Sequence, residues 1–278
     1  MEKKLFMIGS IRLFTIAALV VVLGACGSSN IIRPGDTLEV AFEKAMSLYE
    51  AEQYSASANA FETVLRIARG TDTAADAQYY LAMSHYHNRD FLVAASEFQR
   101  FARNHINDSR RIESEFMEAY CYYRLSPNYK LDQSDTYRAI ERFQLFLTRY
   151  PGTDEAGRAL EYIDQMREKL AKKNFHAAQM YERIGEYRSS ALYFGLTVEE
   201  FPESGWAEEA LVNQILSYVR YAQNSVPERK EERFLMAVDS YQQYVQIFPR
   251  GPNRQLAEEY YDMAMEGLAQ IATVTAER

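Results

Sequence analysis

Apolar residues recur at three- and four-residue spacing from about residue 38 to the C-terminus, and no convincing alternation of apolar and polar positions interrupts them. That periodicity gives a helix one buried side and one wet side, so the chain reads as helix after helix. The pattern also repeats itself. Ala45, Glu52-Gln53-Tyr54, Phe61 and Val64 run parallel to Ala82, Arg89-Asp90-Phe91, Phe98 and Phe101, and Tyr54 and Phe91 lie 37 positions apart. In both copies a small residue precedes an aromatic by nine, and the next helix carries small, aromatic and apolar residues in order. Later copies hold Ala119 with Ala139, Phe143 and Phe146; Ala178 with Gly185, Tyr187, Ser190, Phe194 and Thr197; and Ala210 with Phe234, Ala237, Tyr241 and Tyr244. These three end in Tyr150-Pro151, Phe201-Pro202 and Phe248-Pro249. Proline cannot continue a helix and pushes the preceding residue out of the α region, so each step predicts a stop.

The pattern resembles the tetratricopeptide repeat, in which a small residue sits where two helices cross and aromatics fill the turn and the next repeat. Five copies exceed the three or so that stacked hairpins need to close a continuous core. The expected fold is all-α: a tetratricopeptide-repeat solenoid of about five helical hairpins, with Leu256 to Val274 as a C-terminal capping helix. Repeats one to three would occupy 38–152. A long connecting helix, repeats four and five and the capping helix would occupy 153–278. Residues 154–184 hold no proline and a single glycine, Gly157, which predicts a long helix; a break near Lys172-Lys173-Asn174 is the competing expectation. Two inserts, Ser126 to Asp135 and Ala222 to Glu232, read either as tolerated loops or as partner contacts.

The first 25 residues stand apart. Lys3, Lys4 and Arg12 precede an uncharged apolar stretch from Leu13 to Leu23, shorter than the roughly 20 residues that span a bilayer. It closes on Leu23-Gly24-Ala25-Cys26, which resembles the lipobox of bacterial lipoproteins. The resemblance implies a signal peptide at 1–25, thioether lipidation and N-acylation of Cys26, and a tether over 26–37. An ordinary secretory signal and an uncleaved signal anchor are the alternatives. With Cys26 lipidated, Cys121 has no partner and is expected to be a buried small hydrophobe.

Of 278 residues, 47% are hydrophobic and 25% charged, the balance of a folded chain. The net charge of -8 falls to -10 once residues 1–25 leave with three positive charges and one negative. An acidic body argues against binding nucleic-acid phosphates. His85 and His87 stand about 200° apart around a helix and cannot share a metal. No P-loop, CxxC, HExxH or GxSxG pattern occurs, so no catalytic residue, cofactor or metal is expected. What remains is surface. In the repeat resemblance the first helix of each pair lines a groove at positions three before, one after and four after the small residue. Those positions are Phe42, Met46 and Tyr49; Tyr79, Met83 and Tyr86; and Phe116, Tyr120 and Tyr123. Tyrosine and methionine offer flat apolar area with a polar or adaptable tip, suited to an extended or helical peptide. Packing against the neighbouring repeat is the alternative use.

Together these features resemble the BamD family of outer-membrane assembly lipoproteins. Leu131-Asp132-Gln133-Ser134 leading into Tyr137-Arg138-Ala139-Ile140-Glu141, and Glu168-Lys169-Leu170-Ala171-Lys172-Lys173 before Tyr181 and Gly185, carry the resemblance. It implies a non-enzymatic scaffold anchored in the outer membrane and facing the periplasm. Its partners would be the barrel-forming assembly subunit (BamA-like) and unfolded outer-membrane proteins, with no small-molecule substrate. A SusD-like glycan-binding lipoprotein and a cell-envelope tetratricopeptide adaptor are the rival readings.

Overall fold

Each aromatic-proline step ends a helix. Tyr150, Phe201 and Phe248 are the capping residues of three helices, with φ between -122° and -135° and ψ of 54–57°. In that geometry each cap N–H still donates to the carbonyl four residues back, on Phe146, Thr197 and Tyr244, which satisfies one of the carbonyls a helix end leaves open. The computed structural model describes residues 31–276; Cys26, the residues before it and the first part of the tether lie outside them. Among the described residues there are eleven helices and no strand. They are α1 (Leu38–Glu50), α2 (Tyr54–Ile67), α3 (Thr73–His87), α4 (Phe91–Asn104), α5 (Arg111–Leu125), α6 (Ser134–Arg149), α7 (Asp154–Arg183), α8 (Tyr187–Glu200), α9 (Ala207–Gln223), α10 (Pro227–Ile247) and α11 (Arg254–Ala276). The chain divides into two compact units, one up to Asn88 and one from Arg89.

In the first unit α2 packs against both α1 and α3. Ala41 and Ala45 of α1, Phe61 and Val64 of α2, and Ala77 and Leu81 of α3 form its buried core. The alanines let backbones approach, and Phe61 fills the space between them.

In the second unit every helix from α4 packs on the next, and α11 also reaches back to α9. One core centres on Phe116, Phe143, Phe146, Met166 and Leu170. The other centres on Phe175, Phe194, Leu211, Ile215, Phe234 and Tyr244. α7 serves both, because it runs unbroken for 30 residues, about 45 Å at the α-helical rise. The alternative break near Lys172 does not occur; Leu170, Ala171, Phe175 and Ala178 are all buried along that stretch and hold it by packing. α11 closes the second core with Tyr260, Met263, Leu268 and Ile271.

The joint between hairpins has a constant length. Ser57 and Ser84, Ala94 and Cys121, Ala139 and Met166, Ser190 and Ser217, and Ala237 and Ala264 each lie 27 residues apart, and all ten are at most 1% exposed. Two of the five pairs are bonded, Oγ to Oγ, at 3.0 Å for Ser57 and Ser84 and 3.1 Å for Ser190 and Ser217. The second pair carries Cys121 with Ala94 in the sequence register, where a hydroxyl would gain no serine partner. Burial pushes its thiol pKa up to about 12, so it stays protonated and unreactive.

Length varies elsewhere, within hairpins. The first insert is a loop, Ser126 to Gln133, between α5 and α6. The second is mostly helix: Pro227 opens α10, as proline favours the first helical turn, and Glu228, Arg229, Glu231 and Glu232 lie exposed along its start. Most of the second insert thus extends α10.

Three turns share one shape. Glu52, Arg89 and Gly185 have φ of 57°, 66° and 82°, each just before the residue that caps α2, α4 or α8. Only glycine takes this conformation without strain. A Cβ at Gly185 would meet nothing within 4 Å, so backbone strain alone sets the cost. Gly185→Ala is expected to lower stability by about 1–2 kcal/mol, read as a lower urea midpoint with unchanged slope; an unchanged midpoint would refute the shared-turn argument.

Candidate aromatic docking faces

In the first unit α1 places Phe42, Met46 and Tyr49 one turn apart, and all three are half-buried against the core. The Phe42 ring meets Phe61 edge-on at 5.8 Å. Tyr49 meets Tyr80 of α3 at 5.3 Å and Tyr54 of α2 at 5.6 Å, and His87 stacks on Tyr54 at 4.8 Å. Burial lowers the His87 pKa, which keeps the ring neutral at pH 7 and suited to stacking. Tyr79, Met83 and Tyr86 of α3 are half-buried as well. The structure therefore gathers six of the expected residues on α1 and α3. Those on α1 do both jobs, packing inward while keeping part of their surface wet.

In the second unit Tyr120 and Tyr123 of α5 are stacked at 5.7 Å. Phe116 is 3% exposed and lies beneath them, stacked on Tyr120 at 6.2 Å; it supports the face from below. Tyr162 of α7 completes the set, 5.2 Å from Tyr120 and 4.5 Å from Tyr123, and stacks on Phe143 at 5.6 Å. The Tyr123 hydroxyl donates to Gln165 Oε1 at 2.8 Å. Burial raises the pKa of both Tyr123 and Tyr162, so their hydroxyls remain donors. Tyr162 was not among the expected residues. Its signal lies in the constant joint: Tyr162 precedes Met166 by four, as Tyr80 precedes Ser84.

The first insert is fastened down. Lys169 donates to Ser126 Oγ and, at 3.1 Å, to the Pro127 carbonyl. Lys173 donates to the carbonyls of Tyr129 and Leu131 at 3.1 and 2.8 Å. Tyr129 stacks on His176 at 5.3 Å, with Lys172 Nζ 5.0 Å from its ring. His176 and Lys172 also border Trp206. Spacings of four and three put Lys169, Lys173 and His176 on one side of α7. Inside the loop, Gln133 donates to the carbonyls of Asn128 and Leu131 and accepts from Thr136. Burial lowers the Lys169 pKa. The loop thus holds Leu131, 60% exposed, in a fixed place on the surface.

Among the described residues no group of three His, Cys, Asp or Glu could hold a metal ion, and no helix is long and apolar enough to cross a membrane.

The profile of a family described as outer membrane lipoprotein, YfiO, matches residues 34–234. The chain belongs to the YfiO family of outer-membrane lipoproteins. Both aromatic faces and the fastened loop fall inside the matched span; α11 lies beyond it. Two curated relatives carry the name that the sequence resemblance pointed to. The chain is 23% identical over 146 residues to outer membrane protein assembly factor BamD of Caulobacter vibrioides, covering 52% of this chain and 48% of that one. It is 22% identical over 202 residues to outer membrane protein assembly factor BamD of Rickettsia prowazekii, covering 71% and 79%. The chain thus spans about half the length of the Caulobacter relative and four-fifths of the Rickettsia one. Among solved structures, a TPR repeats protein from Bacteroides fragilis is 12% identical with a TM-score of 0.43, covering 83% of this chain and 98% of that one. The P58(IPK) TPR domain is 11% identical with a TM-score of 0.41, covering 86% and 66%.

Proposed function

We propose that this YfiO-family chain is a non-enzymatic scaffold in outer-membrane protein assembly, held to the outer membrane on its periplasmic side by lipid on Cys26. The observation that carries the reading is the family match over 34–234, joined to two relatives whose name is outer membrane protein assembly factor. The half-buried tyrosines and methionines on α1, α3 and α5 suit a nascent barrel strand. Each offers ring or thioether area to an apolar side chain, and the tyrosines add a hydroxyl for the peptide backbone. In this reading repeats in 38–152 receive unfolded outer-membrane proteins, and the C-terminal repeats face the other subunits of the assembly.

Two measurements test it. Solubilising outer membranes in mild detergent and purifying the native chain should bring down a barrel subunit carrying periplasmic repeat domains. Recovery of a glycan transporter instead would favour the glycan-binding reading and sink this one. Replacing Tyr79 and Tyr86 together by alanine should cut photo-crosslinking to an unfolded barrel substrate about tenfold, at unchanged helicity. That corresponds to the loss of roughly one well-packed aromatic contact. Undiminished crosslinking by a folded double variant would remove the groove from the account.

A further inference from the structure

The start of α10 and the end of α11 border a groove of about 660 Å³, with Gln223 of α9 at its side. Gly267 brings the two helices together beside it: a Cβ there would run into the Phe234 ring, so α11 rests its backbone directly on that ring. Met263, Gly267, Ile271 and Val274 follow one another at spacings of four, four and three, which is one side of a helix. Met263 and Ile271 are half-buried against the second core, while Val274 is 52% exposed. Eleven positions separate Met263 from Val274, about 16 Å of helix. The apolar stripe of α11 therefore runs on past the ring that covers it.

The rim is acidic: Glu228, Glu231 and Glu266 stand against Lys230. Among the described residues none of these three carboxylates is in an ion pair; the pairing along the start of α10 is between Arg229 and Glu232, at 3.0 Å. Glu228 lies three positions before Glu231 and four before Glu232, spacings at which like charges destabilise a helix. A second depression, of about 490 Å³, shares Glu228 and Glu231 and adds Asp239 beside Leu235, which is 46% exposed. Acid and apolar surface thus continue together around the start of α10. A polyamine would answer the charge and leave the apolar stripe wet, and a neutral apolar segment would do the reverse. Backbone chemistry decides the form of the occupant. From Met263 to Ile271 the wall is mid-helix, with its N–H and C=O groups bonded within α11. An extended peptide would find no backbone partner there, whereas a helix satisfies its own.

We infer that this groove takes a basic amphipathic helix of a partner protein, about three turns long. Its apolar side covers Ile271 and Val274, and its Lys or Arg residues pair with Glu228, Glu231 and Glu266. The inference needs only the groove's own residues and does not depend on the assembly role; α11, one of its two walls, lies beyond the family match at 34–234.

The test uses the full chain in phosphatidylcholine nanodiscs and fluorescent synthetic helices of about four turns, read by anisotropy with empty discs subtracted. A peptide with leucines spaced four, three and four apart on one side and lysines on the others should bind saturably, one to one. The same composition with its leucines scattered around the helix should bind at least about tenfold more weakly, the size of one buried apolar side chain. Glutamine in place of every lysine should weaken binding about fivefold. Glu228→Gln with Glu231→Gln, both at exposed positions, should weaken the lysine peptide by about the same factor. Lys230→Glu should tighten it about twofold, a gain that misfolding cannot produce. Glu62→Gln with Glu161→Gln removes the same charge from exposed positions elsewhere and should change nothing. No binding of the lysine peptide, equal binding of the scattered or the glutamine peptide, or the same affinity for the groove variant as for the control variant would each overturn the assignment. Light scattering that shows a dimer, dispersed by Val274→Glu, would give the groove to a second copy and overturn it as well.

Discussion

Phe143→Ala is expected to lower stability by about 3–5 kcal/mol, the range for deleting a buried phenylalanine. The ring is fully buried at the centre of the first core of the second unit. It lies 5.6 Å from Phe116 and stacks on Tyr162 at the same distance. Its loss removes apolar burial and leaves a cavity that helices on three sides cannot collapse into, since α7 is anchored to the second core as well. A second consequence distinguishes this from generic damage. Tyr162 loses the ring that orients it, so the face it forms with Tyr120 and Tyr123 should loosen. Tyr137→Ala is the control: Tyr137 is 54% exposed, and its loss should change stability by no more than about 0.5 kcal/mol. Urea unfolding followed by circular dichroism measures both. A Phe143→Ala cost below that of the control would show that the core is not where it is drawn.

Cys26→Ala should remove the lipid's share of the chain's hold on the membrane and leave only its docking to other proteins. Each buried methylene of an acyl chain contributes about 0.8 kcal/mol, and stable anchoring takes two such signals. Nothing in the described residues replaces that energy: no helix can cross a bilayer, and an acidic surface is repelled by anionic lipid. Once alkaline carbonate has stripped protein–protein contacts and the membranes are sedimented, the variant is expected in the soluble fraction and the native chain in the pellet. Mass spectrometry of the native chain should find diacylglycerol and an amide-linked acyl group on residue 26. An unmodified Cys26, or a Cys26→Ala chain that still sediments, would remove the anchor from the proposal.

The helices and their stops were legible because their causes are local. Aromatic-proline steps, the three-and-four periodicity and the small residue nine before an aromatic place hairpins without reference to anything distant. The continuity of α7 needed burial to decide it, because Lys172-Lys173-Asn174 looks like a break until Phe175 and Leu170 are seen filling two different cores. The helical start of the second insert has a local cause as well: Pro227 at the first turn and good helix formers after it carry α10 through most of that segment. At the candidate faces the sequence supplied positions and could not supply depth. Phe116 occupies the same register as Tyr79 and Phe42, yet it is buried because Tyr120, Phe143 and Tyr162 close over it. Tyr162 lies outside that count because the small residue of its helix, Ala178, stands 16 positions after it, near the far end of α7. The fastening of Ser126 to Gln133 by Lys169 and Lys173 links residues more than 40 apart and has no signature in either segment alone.

The constant 27-residue joint has a consequence for how this chain can change. A residue deleted between Ala139 and Met166 would turn everything after it by about 100° on its helix axis, carrying buried side chains out to water and charged ones in. A residue added at Asn224 would alter only a bend. Lineages can therefore lengthen the bends and acquire new contacts there, while the joints behave like a reading frame that tolerates substitution and rejects insertion.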